Sequence, residues 1–216
     1  MQPFVNHPGK YIEKVIRWQW RSGTSTMYTT KQPLILLISG WAGSGKDAAA
    51  ALLVEELGFT KCAFATALKL DAAAETGIPV IEFHSHALKD QMLAEPCYAY
   101  PHAKTPREVL LTHAARARAA DPDIYSKSVA VMIEALENHR FVISDWRIKR
   151  ERDYFLERFP RANIVTMRIT RTTVDPRAED IEHELDEFPF DLCIQNDGSI
   201  SDLRDALRHA LRPHLV

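Results

Sequence analysis

The sequence predicts an α/β fold of three layers around a parallel central sheet, on three observations. From about residue 31 onward, short apolar runs alternate with helix-forming stretches, the pattern of strands joined by helical crossovers. One run, "PLILLISG" at residues 33–40, is apolar on both faces, as a strand covered above and below must be. A glycine-rich connection follows that run directly and opens a stretch dense in alanine and leucine.

Taken in order, "KDAAAALLVEELG" reads as a helix of strong formers stopped by Gly58, a residue suited to the left-handed cap. "TKCAFA" is expected to be a second strand and "TALKLDAAAETG" a second helix closed by Gly77. Residues 79–106 carry Pro79, Pro96, Pro101 and Pro106, so loop and short helix are expected there. "TPREVLLTHAARARAA" restarts a helix, with Thr105 as N-cap and Pro106 in the first helical position. The next helix, "DIYSKSVAVMIEALENH", places Tyr125, Val129, Met132, Ile133 and Leu136 at roughly helical spacing. "RFVISDW" is a strand whose carboxyl end carries Asp145 and Arg147, and "KRERDYFLERF" a helix. "ANIVTMRITR" is a strand ending at Arg171, "FDLCIQNDG" the last strand with its turn, and "SISDLRDALRHALRPHL" a closing helix. Ligands of parallel sheets bind beyond the carboxyl ends of the strands. Gly40, Asp145 and Arg171 all fall at such ends.

With 216 residues, 46% hydrophobic, 26% charged and a net charge of -2, the chain can bury a core without disulfides or structural metal. No long block of one sign invites a nucleic acid, so any basic site is local and suits a small phosphorylated molecule. Cys62, Cys97 and Cys193 lie far apart without CxxC spacing, which fits a reducing compartment and indicates neither a disulfide framework nor a zinc site. No apolar run is long enough to span a bilayer, so no membrane partner and a cytoplasmic location are expected. Residues 1–30 are basic and acid-poor, with Trp18 and Trp20 in an imperfect amphipathic pattern. They read as an N-terminal extension, helical or disordered, with a transit peptide as the alternative; residues 31–216 read as a single domain.

Gly40-Trp41-Ala42-Gly43-Ser44-Gly45-Lys46 fits G-x-x-x-x-G-K between a strand and a helix. Glycines let backbone N–H groups turn inward around phosphate oxygens, the helix start adds its positive end, and Lys46 adds a full charge. A Ser or Thr that would ligate Mg²⁺ is expected next; Asp47 stands there instead. Its carboxylate is a hard oxygen ligand for Mg²⁺, directly or through water, or it simply stabilises the first turn of the helix.

This "SGWAGSGKD", with "FATALK" at residues 64–69, "TPREVL" at 105–110, "RAADPDIY" at 118–125, "VISDWR" at 142–147 and "FDLCIQNDGS" at 190–199, resembles the GKD-type branch of P-loop small-molecule kinases. That branch includes phage-type deoxynucleoside monophosphate kinases and animal-type phosphomevalonate kinases, and the likeness runs from about Leu34 to the C-terminus. It implies a three-layer P-loop fold of the nucleoside monophosphate kinase type, with mobile lid and acceptor-binding segments, and ATP and Mg²⁺ as cofactors. By the resemblance, Gly40, Ala42, Gly43, Ser44, Gly45, Lys46 and Asp47 hold the nucleotide, and Asn196 borders the adenine. Asp47 and Asp145 would serve Mg²⁺. Lys46, Arg147, Asp145 and Lys69 would carry catalysis, while Lys69, Arg107, Arg118 and Arg171 would bind the acceptor. Arg116 competes with Arg118 for that role, and Arg147 to Glu151 keeps an R-x-x-x-E spacing seen in the deoxynucleotide kinases. Lys149, Arg150 and Arg152 lie where a lid is expected. Such a set suits phosphoryl transfer, which depends on positioning and charge neutralisation.

Two departures stand out. The loop is neutral "WAGSGKD" where relatives carry Lys or Arg, with Trp41 inserted, and "EDIEHELDEF" orders His183 and Glu184 differently from the family. The histidines have no metal spacing. "TPRE" favours a deoxynucleoside monophosphate as acceptor, with Phe83, Tyr98 and Tyr100 available to stack on a base or to pack a core. "RAADP" and "ELDEFPFDLCIQNDG" match phosphomevalonate kinases as well. A nucleotide-binding regulatory P-loop protein is a third reading. The partner expected is a phosphorylated small molecule, no nucleic acid, with the chain a monomer or homodimer.

Overall fold

Every residue of β1 (Leu34–Ser39) is buried, because a strand covered on both faces has no solvent side for polar residues. The computed structural model describes residues 32–85, 87–136, 138–174 and 183–215; the N-terminal extension and His86 lie outside them. β1 is the middle of a five-stranded sheet in the order β2-β3-β1-β4-β5, with β2 (Thr60–Cys62), β3 (Arg140–Ile143), β4 (Asn163–Thr170) and β5 (Leu192–Gln195). All pairings are parallel. Leu37 lies opposite Ile143, and Ser39 opposite Arg168. Gly40, Asp145 and Arg171 therefore leave three adjacent strands at one edge, as the strand assignments expected.

Alternation along β1 divides the core. Leu34, Leu36 and Ile38 pack with α1 (Lys46–Leu57) and α7 (Ile200–Leu211), through Leu53 and Leu207 among others. Ile35, Leu37, Phe141 and Ile143 point to the opposite face and are equally inaccessible. Both faces are covered, so the fold is the three-layer α/β arrangement with a parallel sheet. Local signals set the helix ends. Gly58 caps α1 at φ 67°, its N–H bonded to the Leu53 carbonyl, and Ser199 with Asp202 forms a reciprocal capping box on α7.

The chain forms two compact units: residues 32–63 with 132–215, and Phe64–Val131. The first holds the sheet, α1, α6 (Lys149–Arg158) and α7. The second holds α2 (Phe64–Thr76), α3 (Val80–His84), α4 (Pro106–Ala120) and most of α5 (Ile124–Ala135). Its core gathers Ala72, Phe83, Cys97, Tyr100, Ala103 and Val109. In α4, Thr105 accepts from the Glu108 N–H and Pro106 takes the first position, as expected. "TKCAFA" departs from expectation. β2 stops at Cys62, and Phe64, expected in the strand, begins α2. A short apolar run does not distinguish strand from helix, and the alanines beyond Phe64 favour the helix.

Candidate functional site

The loop between β1 and α1 is held by contacts that admit only glycine at two positions. Gly40 has φ 148°, and a Cβ there would meet the Ile169 carbonyl oxygen at 2.2 Å. Gly45 has φ 102°, and its Cβ would meet Asn196 Nδ2 at 2.2 Å. Both conformations are unfavourable for L side chains. The Trp41 carbonyl accepts from the Ser44 N–H at 3.1 Å, closing a turn. Ser44 is 1% exposed, its Oγ has no hydrogen-bond partner, and that oxygen lies 2.7 Å from the Cβ position of Gly40. A buried hydroxyl facing into the loop without a partner is costly by about 1–3 kcal/mol, and a phosphate oxygen entering the loop is the acceptor such a group lacks.

Lys46 donates from Nζ to the carbonyls of Gly40 (2.5 Å) and Trp41 (2.7 Å). Burial, and after it the positive charge of Arg147, pull its pKa down to about 8; Arg168 adds to this, and Asp47 and Asp145 oppose it. The loop thus concentrates cation beyond what its own carboxylates balance, which a polyanionic ligand would relieve.

Asp47 is exposed at the start of α1. It receives Lys61 Nζ at 2.8 Å and Ser144 Oγ at 3.3 Å. Burial alone would raise its pKa, but the hydrogen bond and charge of Lys61, then Ser144 and Lys46, hold the carboxyl below the usual range. It stays an anion at neutral pH, with an exposed carboxylate that suits a hydrated Mg²⁺. Asp145 and Arg147 follow β3 closely enough for both charges to be felt at Lys46. The R-x-x-x-E spacing has a local role: Glu151, 5% exposed, accepts from the backbone N–H groups of Arg147 and Ile148 at 3.3 Å each, tying the turn after β3 to the first turn of α6. Lys149, Arg150 and Arg152 form that same turn. Among the described residues no group of three or more His, Cys, Asp or Glu is placed to hold a metal ion.

Asn196 turns out to brace the loop. Its Nδ2 donates to the Ser44 carbonyl at 2.9 Å and its N–H to Thr170 at 2.8 Å, so the turn after β5 supports the loop from outside. Asp197 accepts from Thr172 N–H (2.8 Å) and Oγ1 (3.0 Å), which joins the turn holding Arg171 to the same support.

Sequence reasoning missed Arg168. It stands in β4, 9% exposed, with Nη1 donating to Ser39 Oγ at 3.3 Å and Nη2 to Asp186 Oδ1 at 2.6 Å. Its guanidinium lies 5.6 Å from the ring centres of both Trp41 and Phe190. A lone arginine within the apolar strand "IVTMRIT" was the available signal, since a buried guanidinium persists only where it is paired.

In the Phe64–Val131 unit, Lys69 Nζ lies 3.5 Å from His84 Nδ1. Arg107 on α4 makes a two-pronged ion pair with Asp90, through Nε to Oδ1 and Nη2 to Oδ2 (3.1 Å). Arg116 and Arg118 have separate engagements. Arg116 pairs with Glu75 and lies 5.1 Å over the Tyr100 ring, whereas Arg118 lies 5.2 Å over Tyr125. Phe83 (1% exposed) and Tyr100 (5%) belong to the core, so of the three aromatics considered for base stacking only Tyr98, 99% exposed, faces solvent. His113, fully buried, bonds Asp71 Oδ2 (3.2 Å) and Glu75 Oε2 (2.8 Å), and the Tyr100 hydroxyl donates to Glu75 at 2.8 Å.

No family model matches the chain. Its fold is similar to solved structures at low identity. The APS kinase CysC from Mycobacterium tuberculosis is 14% identical over 84% of this chain and 99% of that one, with a TM-score of 0.45. TT1252 from Thermus thermophilus is 16% identical, over 85% of this chain and 98% of that one, with a TM-score of 0.49. A gluconokinase from Sinorhizobium meliloti is 10% identical, over 86% and 95%, with a TM-score of 0.45.

Proposed function

We propose that this chain transfers a phosphoryl group from ATP to a small phosphate-bearing acceptor, with a deoxynucleoside monophosphate as the first choice. The observation that carries the reading is the glycine loop at the carboxyl edge of a parallel sheet, with its partnerless Ser44 hydroxyl and a Lys46 crowded by Arg147 and Arg168. An excess of fixed cation around a strand-to-helix loop favours a polyphosphate over a neutral ligand.

In this reading the loop N–H groups and Lys46 hold the phosphates of ATP, and Arg147 neutralises charge that develops as the phosphoryl group moves. Asp47 and Asp145 are the residues that would hold Mg²⁺ through its waters; the ion, when bound, draws charge from the phosphate oxygens. Lys69, Arg107, Arg118 and Arg171 are assigned to the acceptor phosphate. Residues 31–216 are read as one kinase domain.

Phosphomevalonate is the second reading, and a specific observation favours it. Two of the three aromatic residues that could have stacked on a base are core residues, which weakens the argument for a base-bearing acceptor. The test is a coupled assay of ATP consumption with each deoxynucleoside monophosphate and with phosphomevalonate. Acceptor-stimulated turnover supports the kinase reading, and its preferred acceptor chooses between the two. ATP binding with no stimulation by any of them would favour a regulatory nucleotide-binding protein instead.

A further inference from the structure

Trp41 has no part in the phosphate chemistry above and Arg168 enters it only as a nearby charge, yet the loop is built on both. Arg168 sits opposite Ser39, the last residue of β1. A guanidinium so placed is tolerated only if its charge is met, and Asp186 meets it at 2.6 Å. The same carboxylate oxygen accepts Trp41 Nε1 at 3.2 Å, and the other lies 2.9 Å from His183 Nδ1. Trp41 is therefore gripped at both ends. Its side chain is fixed by Asp186 and the Arg168 guanidinium, while its carbonyl receives the Lys46 ammonium and the Ser44 N–H. Gly40, one residue earlier, lies against the carbonyl of Ile169, one residue after Arg168.

We propose that Trp41, Arg168 and Asp186 form a strut that positions the Lys46 ammonium for nucleotide phosphate. The proposal rests on the phosphate-binding reading of the loop. All three are positioning residues acting through Lys46. Anchoring the indole directs the Trp41 carbonyl at the ammonium, and a group so held needs little reorganisation when its ligand arrives.

The test is calorimetric binding of a non-hydrolysable ATP analogue with Mg²⁺, and of adenosine as the phosphate-free control, to the full chain and to Asp186→Asn, Trp41→Phe and Arg168→Lys, with melting temperatures alongside. Asp186→Asn is expected to bind the analogue about tenfold more weakly, with adenosine binding unchanged. Trp41→Phe keeps a ring and loses one hydrogen bond, so roughly threefold weaker binding is expected; it carries the test if Asp186→Asn does not fold. Arg168→Lys is expected to weaken binding despite keeping its charge, since an ammonium cannot bridge Ser39 and Asp186 in the same fork. Variants that melt earlier but bind the analogue as the native chain does, or that lose adenosine and analogue alike, overturn the strut. Analogue binding without phosphorylation of any acceptor defeats the kinase reading alone, whereas a native chain that binds no analogue overturns both.

Discussion

The two units treat charge in opposite ways. In the unit of residues 32–63 and 132–215, burial first, and after it the charges of Arg147 and Arg168, lower the Lys46 pKa to about 8. In the Phe64–Val131 unit the cations are matched: Arg107 with Asp90, Arg116 with Glu75, Lys127 with Asp121, and Arg118 over Tyr125. In the first arrangement, a desolvated ammonium beside two guanidinium groups favours an anion, and an anion entering there would meet charge already in place. The second is satisfied as it stands, so recruiting Arg107 or Arg118 to an acceptor phosphate means exchanging an existing partner. The difference predicts tight, pH-dependent nucleotide binding and weaker, more adaptable acceptor binding.

The largest effect expected is at the loop. Lys46→Ala should lower kcat by about 10²–10³-fold, the loss seen when one preorganised charge donor is removed, with the melting temperature unchanged or raised because a desolvated cation has gone. Steady-state turnover and calorimetry check both halves, and activity within tenfold of native would remove Lys46 from the centre of the site.

His113→Ala probes the matched unit. It removes a fully buried ring that bonds Asp71 and Glu75 and leaves a cavity in its place, and should cost about 2–4 kcal/mol of stability, read by denaturant unfolding. The ATP-analogue affinity of whatever remains folded should be native. Weakened nucleotide binding in folded protein would erase the contrast between the units.

Gly45→Ala should cost about 1–3 kcal/mol through its positive φ and the clash with Asn196, and should also weaken the analogue, since the Asn196 brace on Ser44 must move. A stable variant with native affinity would show that the brace is dispensable.

Nucleotide affinity should fall as pH rises through about 8, where the unliganded Lys46 loses its proton. Bound phosphate raises that pKa again, so binding near pH 8 takes up a proton; titrations in buffers of different ionisation enthalpy measure this directly. The stability effect has the corresponding sign. The native pKa lies below the ordinary value of 10.5, so the unfolded chain holds more protons between about 8 and 10.5, and Lys46 makes stability rise with pH across that window. Affinity unchanged over the same range would contradict the crowding of the loop.

The smallest effect belongs to the Arg107 pair. Asp90 is half exposed, so Asp90→Ala should change stability by less than about 1 kcal/mol while removing one partner of Arg107 and lowering the acceptor KM. A raised KM would mean that Asp90 holds Arg107 in its working position.

Much of this was legible because it is local. The glycine loop, the Gly58 cap and the Thr105-Pro106 helix start depend on neighbours within a few residues, and pattern alone located them. The β1 run declared a strand buried on both faces, and Gly40, Asp145 and Arg171 emerge from β1, β3 and β4 as that reading required. The α2 start was misplaced because Phe64 suits a strand and a helix equally until the core claims it.

What the sequence determined by itself was a glycine-rich strand-to-helix loop on a parallel α/β sheet, since repeating apolar periods and glycine dihedrals act at short range. Only the tertiary structure decided what surrounds the loop. Asn196 reaches Ser44 across 152 positions, Trp41 reaches Asp186 across 145, and Ser144 reaches Asp47 across 97. No local pattern encodes such pairings. They follow from which strands lie side by side and from the cost of burying Arg168 without a partner, and through them Trp41, a departure from the family pattern, gains its contacts with Asp186 and Lys46.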